Sequence, residues 1–258
     1  MITIAVVNQK GGVAKTTTSV NLAVGLASNG YTVLLIDLDP QAHSTLALRI
    51  DSDEITAERT VAGLFYERTL ADVIVSTIEP NLKLLPGSIH LANAVETLYS
   101  VIFREVKLAK ALETMVEEFD YVILDCAPNL GVLSINAIVA ADKILIPTRL
   151  SMYSLDGLNA LLNTIEKVKL DPNSYEYRVL LTMVKGYGKE RQAAAWKILA
   201  PLSDRILTTQ IRETEAVEKS QMSEEEELMA VVLQKGSSNR GAQDHRSLVK
   251  EVIELWPA

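Results

Sequence analysis

The sequence has 258 residues, enough for one sizeable α/β domain, and 48% of them are apolar, which allows a substantial core. Aromatic residues make up only 5%, which favours aliphatic parallel strands under helices and argues against an aromatic-rich β-sandwich. A single cysteine excludes a disulfide framework, and a net charge of −8 excludes attraction of nucleic acid by the overall field. The chain has no basic leader and no apolar stretch of roughly 18 residues, so we expect a cytoplasmic protein.

Short apolar runs alternate with helical patterns along most of the chain. Strands are predicted at residues 2–7, 32–36, 82–85, 121–124, 143–146 and 178–184. Helices are predicted near residues 15–28, 104–119, 130–141, 155–169 and 190–201, with an amphipathic helix at 244–256. This alternation is typical of βαβ units, so we predict an α/β fold with a mostly parallel, twisted sheet and helices on both faces. Because we find no repeats and no linker, we predict a single domain over residues 1–258.

The strongest local signal is the segment K-G-G-V-A-K-T-T at residues 10–17, which lies between the first strand and the first helix. A triphosphate needs many donors at close range, and backbone N–H groups supply them where a loop curls without Cβ clashes. Gly11 and Gly12 allow this curl, and the positive end of the next helix dipole adds to the attraction. The predicted nucleotide-binding residues of this segment are Lys10, Gly11, Gly12, Val13, Ala14, Lys15, Thr16 and Thr17.

Two side chains of this loop have specific expected tasks. Lys15 reaches the β- and γ-phosphates, and the Thr16 hydroxyl is a ligand of Mg²⁺. The standard P-loop pattern has a glycine where this chain has Gln9 and another where it has Ala14. The extra Lys10 and the glycine pair instead match the deviant Walker A pattern K-G-G-x-x-K-[S/T]. The motif and its strand–loop–helix context predict a P-loop NTPase fold.

Carboxylates stand at the ends of two predicted strands. Asp37 and Asp39 end the second strand and share one face of it, with Leu38 on the opposite face. Asp125 ends the apolar run at 121–124 in the manner of a Walker B strand. At the carboxyl edge of a parallel sheet such groups hold Mg²⁺ and orient a water for attack on the γ-phosphate. The predicted metal-site residues are Thr16, Asp37, Asp39 and Asp125.

These motifs resemble the ParA/Soj family of deviant Walker A ATPases, and the resemblance covers nearly the whole chain. The matching blocks are NQKGGVAKTTTSVN at 8–21, VLLIDLDPQ at 33–41, DYVILDCAPNLGVLSINAIVAAD at 120–142, IPTRLSMYSLDGL at 146–158, VLLTMV at 179–184 and, more faintly, IRETEAVEKSQ at 211–221. The resemblance implies an Mg²⁺-dependent ATPase that forms a homodimer with ATP and then binds DNA without sequence preference. It also implies slow hydrolysis that a small partner protein stimulates, DNA release in the ADP form, and a nucleoid-associated location.

The resemblance also implies roles for single residues. The lysine matching Lys10 reaches the nucleotide of the other subunit, which makes physical sense because a cation delivered across the dimer neutralises γ-phosphate charge. Asp39 takes the role of activating the attacking water, and Lys15 handles the phosphates. The implied catalytic residues are therefore Lys10, Lys15 and Asp39. Thr16 and Asp125 handle Mg²⁺, and Asp37 is expected to lie behind the direct ligands.

The predicted strand at 178–184 bears on the choice of base. No N-K-x-D element follows it, because residues 181–188 read LTMVKGYG, and this favours ATP over GTP. In the ParA family this strand end borders the adenine, so the resemblance makes Thr182 and Met183 base contacts. Ordinary core packing explains the same two residues equally well.

Three classes of protein share the fold that this resemblance implies: DNA-binding ParA proteins, membrane-binding MinD proteins and iron–sulfur proteins. One cysteine cannot supply the paired ligands of a cluster, and the helix at 244–256 balances its basic residues with acidic ones, which disfavours a membrane helix. DNA binding is favoured, with a MinD-like regulator of division-site placement as the alternative. The predicted DNA contacts, each of which taken singly is better explained as a solvated surface charge, are Lys185, Lys189, Arg191, Lys197, Lys235, Arg240, Arg246 and Lys250.

The cargo is not readable from the sequence. A ParB-like partner on a plasmid or chromosome is the default expectation for a protein of this resemblance. An adaptor for a protein cargo, such as a carboxysome or a chemoreceptor cluster, is the other expectation.

Overall fold

A computed structural model of the protein describes residues 1–51, 55–66, 68–115, 118–149, 154–184, 197, 199–214, 230, 233 and 239–258. The strands in these residues are β1 Ile2–Val6, β2 Val33–Leu38, β3 Val75–Ser76, β4 Leu82–Leu85, β5 Tyr121–Cys126, β6 Lys143–Arg149, β7 Glu176–Val184 and β8 Ile206–Arg212. They form one sheet in the order β3-β4-β2-β5-β1-β6-β7-β8. Every pair is parallel except β3 with β4. The predicted α/β fold with a mostly parallel sheet is confirmed.

Helices connect the strands and cover both faces of the sheet. The helices among the described residues are α1 Lys15–Ser28, α2 His43–Ala47, α3 Val61–Phe65, α4 Leu70–Val73, α5 His90–Leu98, α6 Lys107–Leu112, α7 Val132–Ala140, α8 Ser154–Val168 and α9 Arg240–Leu255. Short 3₁₀ turns occupy Ala57–Arg59, Arg104–Val106, Glu113–Met115, Pro172–Ser174 and Ala200–Arg205. None of the helices in the described ranges combines the length and apolar character needed to cross a membrane.

Two hydrophobic clusters lie on the two faces of the sheet, as alternation along the strands requires. In β1, Ala5 belongs to the cluster under α3 and α5–α8, whereas Ile4 and Val6 belong to the cluster under α1 and α9. All residues of β2 and β5 are buried, which is the pattern of parallel strands covered on both faces. Each fully buried aliphatic side chain contributes about 1.5–3 kcal/mol of transfer free energy. The aliphatic composition thus accounts for the two-layered core.

The topology brings the ends of three strands together. The chain runs from β1 to β2 and β4 on one side, returns to β5 next to β1, and continues through β6, β7 and β8 on the other side. A crevice forms at the carboxyl edge of such a sheet where the strand order reverses. The loop at residues 7–14 follows β1 into this crevice, and Asp37 and Asp125 are direct partners in the register of β2 and β5.

Several predicted elements need correction. The single helix predicted near 104–119 is instead α6 between two 3₁₀ turns, because Asn136 of α7 intervenes with hydrogen bonds to the Arg104 carbonyl and the Leu108 amide. The edge strands β3 and β8 were not predicted. The helix predicted near 190–201 lies mostly outside the described residues, and its described end begins a 3₁₀ turn. The C-terminal helix begins at Arg240, four residues earlier than predicted.

Candidate active site

The loop after β1 has the backbone of an anion cradle. Gly12 and Ala14 both lie in the left-handed region, with φ of 69° and 63°, and α1 begins directly afterwards at Lys15. Alternating left-handed residues turn successive N–H groups toward one side, and the first amides of a helix have no acceptor within the helix itself. Ala14 has no side-chain cap and holds a conformation that is costly for an alanine. The loop at residues 10–17 therefore has a backbone that can gather N–H groups around an anion.

The two lysines of the loop occupy different environments. Lys15 is 7% exposed and its Nζ donates to the Lys10 carbonyl oxygen at 3.1 Å. Burial lowers the pKa of the Lys15 ammonium, and the nearby Asp125 carboxylate opposes this shift. Lys10 is exposed, and its backbone N–H donates to Asn8 Oδ1 at 2.9 Å. The loop thus keeps one cation inside the crevice and holds the other toward solvent.

Side chains at the start of the loop anchor it to neighbouring elements. Asn8 Nδ2 donates to the Pro147 carbonyl oxygen of β6 at 2.8 Å, and Gln9 Nε2 donates to the Gly157 carbonyl oxygen of α8 at 3.0 Å. Gln9 occupies the position of the first glycine in the standard pattern, and its side chain makes this contact possible. These two hydrogen bonds hold the backbone directly before Lys10 in place. The sequence motif gave no indication of them.

Asp125 is fully buried at the end of β5 and is held by hydroxyl groups. Ser19 Oγ donates to its Oδ1 at 2.9 Å, and Ser44 Oγ donates to its Oδ2 at 2.5 Å. A hydrogen bond from Thr16 also stabilises the carboxylate, yet burial dominates and raises the pKa of Asp125. The structure therefore brings Thr16 and Asp125 into contact, as the metal-site prediction requires. Ser19 and Ser44 were not predicted.

Asp37 is also fully buried, and both of its oxygens accept hydrogen bonds. Its Oδ1 accepts from the Asp39 amide at 3.1 Å, and its Oδ2 accepts from the Thr45 amide and hydroxyl at 2.9 and 2.8 Å. The Thr45 hydroxyl in turn accepts from the Gly87 amide at 2.9 Å. A Cβ at Gly87 would lie 2.8 Å from Asp37 Cγ, so only glycine fits there. Asp37 thus organises the loop that carries Asp39.

Asp39 lies at the rim of the crevice. It is 9% exposed, and its Oδ1 accepts from the Gln41 amide at 3.0 Å. Ala42, in the left-handed region at φ 54°, then turns the chain into α2. Because α2 carries Ser44 and Thr45, the same turn that positions Asp39 also delivers the hydroxyls that hold Asp125 and Asp37.

The donor set fits a hydrated Mg²⁺ held between protein and phosphate. Within the described ranges, no group of three or more His, Cys, Asp or Glu side chains is arranged to hold a metal ion by itself. Mg²⁺ commonly takes one or two protein oxygens and completes its octahedron with water and substrate phosphate. Thr16, in the first turn of α1, and Asp125, near the end of β5, supply such oxygens.

Similarity to known proteins covers this site and most of the chain. The AAA domain family matches residues 1–175. Sporulation initiation inhibitor protein Soj of Bacillus subtilis is 44% identical over 184 residues, which are 70% of this chain and 72% of the relative. Chromosome partitioning protein ParA of Caulobacter vibrioides is 34% identical over 256 residues, which are 97% of this chain and 93% of the relative.

The chain belongs to the ParA/Soj family.

Two solved structures that share the fold of this ParA/Soj protein are nucleotide complexes. Cobyrinic acid a,c-diamide synthase of Mycobacterium smegmatis, with an ATP analogue and magnesium, matches with a TM-score of 0.81 and 29% identity, over 100% of this chain and 96% of the other. An Asp-to-Ala variant of Cyanothece McdA with ATP matches with a TM-score of 0.83 and 26% identity, over 98% and 95%. The fold thus serves proteins with different named activities, so the residues of the site and not the fold determine the activity of this ParA/Soj protein.

Four of the eight predicted DNA contacts of this ParA/Soj protein lie among the described residues. Arg240, Arg246 and Lys250 are exposed on α9, and Lys197 is exposed. Arg246 and Lys250 lie one helical turn apart and line a surface groove of about 550 Å³ beside the end of α1. The predicted contacts Lys185, Lys189, Arg191 and Lys235 lie outside the described residues. Because α1 begins at the phosphate loop, this groove lies about 20 Å from the nucleotide site.

The buried Asp37 of this ParA/Soj protein makes the ligand-free protein sensitive to pH. Burial and the neighbouring Asp125 carboxylate raise the pKa of Asp37 from its ordinary 3.8 to about 7. Between these values the folded protein holds a proton that the unfolded chain has released, so the free energy of unfolding falls as pH rises. We expect a loss of up to about 2.5 kcal/mol from this group between pH 5 and 7.5, measured by urea unfolding without nucleotide or Mg²⁺.

The matched variant for this measurement is Asp37→Asn, which keeps the shape and removes the titrating group. Its absolute stability differs because the amide presents a donor where Asp37 accepts from the Asp39 amide, so only the pH slopes are compared. A shallower slope in the variant supports the assignment. Equal slopes in the two proteins would show that Asp37 has no raised pKa.

Proposed function

We propose that this chain is an ATPase that binds ATP with Mg²⁺, dimerises in that state and binds DNA without sequence preference. In the proposal a small partner protein stimulates its slow hydrolysis, and the cycle positions a cargo such as a plasmid, a chromosome or a protein organelle. The observation that carries the proposal is the pair of lysines on one loop, with Lys15 buried in the crevice and Lys10 exposed above it. A single nucleotide in one subunit needs only the first of these cations.

The phosphate loop performs binding. The N–H groups that curl between Gly12 and Ala14 face the phosphate oxygens, and Lys15 exchanges its contact with the Lys10 carbonyl for the β- and γ-phosphates. Thr16 and Asp125 would hold Mg²⁺, which would supply positive charge to the phosphate oxygens. Burial of Lys15 strengthens its attraction to phosphate because little water competes.

Hydrolysis needs a group that orients a water opposite the leaving phosphate oxygen. Asp39 lies at the rim of the crevice, and its Oδ1 is engaged by the Gln41 amide. Its Oδ2 is the oxygen that accepts a hydrogen bond from the attacking water in our proposal. The new bond forms between this water and the γ-phosphorus while the bond to the β–γ bridging oxygen breaks. In the proposal basal turnover is slow because the second cation arrives only from another subunit.

Dimerisation is the proposed role of Lys10. Its side chain is exposed, while its backbone is held by Asn8 and its neighbour Gln9 is held by Gly157. A flexible side chain on a backbone that is held in place is suited to reach a phosphate in a facing subunit and to stabilise the transition-state charge there. The structure of the Asp-to-Ala variant of Cyanothece McdA is a complex with ATP, which supports ATP as the ligand of this fold.

DNA is favoured over membrane as the surface on which the protein cycles. A membrane-binding helix must expose its apolar face, yet Leu248, Val249, Val252 and Trp256 of the C-terminal segment are buried against the sheet. The end of this segment is also tied down. Tyr121 Oη donates to the Trp256 carbonyl oxygen at 2.7 Å, and Trp256 Nε1 donates to Glu176 Oε2 at 2.9 Å. Releasing α9 would expose this apolar face and break both hydrogen bonds.

Cosedimentation tests the choice between the two surfaces. With ATP and Mg²⁺ the protein is expected to sediment with plasmid DNA but not with anionic vesicles of phosphatidylglycerol and phosphatidylcholine, and to leave the DNA with ADP.

Replacing both Arg246 and Lys250 with alanine is expected to weaken DNA binding about 3- to 10-fold and to reduce the slope of log affinity against log salt by up to about 2. Ser247→Ala, on the same exposed face, is the control. Binding to vesicles and not to DNA would reverse the proposal in favour of a MinD-like regulator.

A further inference from the structure

A hydrogen bond joins the phosphate loop to a distant strand. Thr182, near the end of β7, donates its hydroxyl to the Val13 carbonyl oxygen at 3.0 Å. Thr182 is fully buried and Val13 is 1% exposed, so water does not replace this donor if it is lost. The resemblance to ParA proteins makes Thr182 a contact of the adenine base, but the structure shows its hydroxyl engaged with the loop.

The bonded carbonyl belongs to the Val13–Ala14 peptide, which lies within the phosphate loop. A trans peptide is planar, so the Val13 carbonyl and the Ala14 N–H point in opposite directions. Gly12 and Ala14 on either side of Val13 are both left-handed, which makes this peptide part of the curl that gathers N–H groups. Holding the carbonyl against β7 therefore aims the Ala14 N–H into the cradle.

The strand is itself irregular where it makes this contact. Met183, directly after Thr182, has a φ of 52°, and the pairing of β7 with β8 shifts register between Leu181 and Val184. A methionine keeps a left-handed backbone only where its surroundings impose it. Such imposed strain concentrates at functional sites and agrees with a demanding position for Thr182.

We propose that Thr182 is a positioning residue of the nucleotide site, which acts through the Val13–Ala14 peptide and not by touching the base. The proposal rests on the nucleotide binding put forward above and adds a determinant outside the phosphate-loop motif. Because every phosphate ligand uses the same peptide N–H, Thr182 governs affinity for the polyphosphate whatever base is attached.

The test compares two probes on three proteins. Affinities of the parent, Thr182→Val and Thr182→Ser for ATP are measured by titration calorimetry with Mg²⁺, and affinities for inorganic tripolyphosphate by displacement of a fluorescent ATP analogue. Thr182→Val keeps the size of the side chain and removes the hydrogen-bond donor. It is therefore expected to weaken the affinity for both probes by the same factor, about tenfold. Thr182→Ser restores the hydroxyl and is expected to bind both probes within about twofold of the parent.

The outcomes separate the alternatives. A loss confined to ATP, with tripolyphosphate unchanged, would show that Thr182 contacts the base and would overturn the proposal, as would an unchanged affinity for both probes. Partial misfolding lowers the number of binding sites per chain in the calorimetric titration and leaves the dissociation constant unaltered, so an affinity change at full stoichiometry supports positioning. Failure of the parent protein to bind ATP would instead refute the proposed ATPase function.

Discussion

Asp39→Ala is expected to slow ATP hydrolysis about 10²- to 10³-fold and to leave ATP affinity within about threefold of the parent. The reason is geometric, since Asp39 lies at the rim of the crevice and its described hydrogen bond goes to the Gln41 amide and not to the phosphate loop. Phosphate release in steady state measures turnover, and calorimetry measures ATP affinity. With turnover blocked, the ATP-bound dimer is expected to persist on DNA, which the cosedimentation assay detects as protein retained after free ATP is removed.

The control for this variant is Glu96→Ala, which removes one exposed carboxylate of α5 that takes no part in the proposed site and is expected to hydrolyse ATP like the parent. The stability cost of Asp39→Ala is expected to stay near 1 kcal/mol, about the net value of the lost hydrogen bond to Gln41. Unchanged turnover in Asp39→Ala would show that another group orients the water. A parallel loss of ATP affinity and turnover would show that Asp39 acts in binding and not in the chemical step.

Lys15→Ala is expected to weaken ATP binding at least about 100-fold, which corresponds to about 3 kcal/mol of a charge-assisted contact. Lys15 is the buried cation of the crevice, and its Nζ already lies at the loop in contact with the Lys10 carbonyl. The ligand-free variant is expected to be at least as stable as the parent, because burial lowers the pKa of Lys15 and the charged form is costly to keep inside. Calorimetry gives the affinity, and urea unfolding gives the stability.

Lys10→Ala is the matched variant, since it removes the other lysine of the same loop. Lys10 is exposed, so its loss is expected to leave the first binding of ATP within about threefold and to reduce ATP-dependent dimerisation and turnover. Analytical ultracentrifugation with ATP measures the dimer. Equal losses of ATP affinity in the two variants would contradict the division of labour between them, and a Lys10→Ala protein that dimerises and hydrolyses normally would exclude the role in trans.

The phosphate loop could be predicted because its chemistry is local. Residues 10–17 are contiguous, and the strand before them and the helix after them are each encoded by a short apolar pattern. The meeting of Asp37 with Asp125 was also predictable, because both residues end buried parallel strands and such ends share one edge of the sheet. The register then places the two carboxylates directly side by side.

The groups that hold these carboxylates were not predictable in the same way. Ser19, Ser44 and Thr45 are ordinary hydroxyl residues in the sequence, and their roles depend on α1 and α2 converging on Asp125 and Asp37. The motif gives a weak signal for Ser19 alone, because it lies one helical turn after Lys15. Gly87 has no signal at all until Asp37 is seen to occupy the space that a side chain there would need.

The sequence by itself determined the α/β class, the phosphate loop and the carboxylates, because each depends on a periodic pattern or on residues within one short segment. Only the tertiary structure decided which lysine is buried, how α9 is fixed by Trp256, and that Thr182 meets Val13 across 169 positions of the chain. Contacts of that separation arise from how the strands are ordered in the sheet, and a single sequence carries no local pattern that reports strand order. The loop motif therefore predicts the site, and the strand order brings the remaining residues to it.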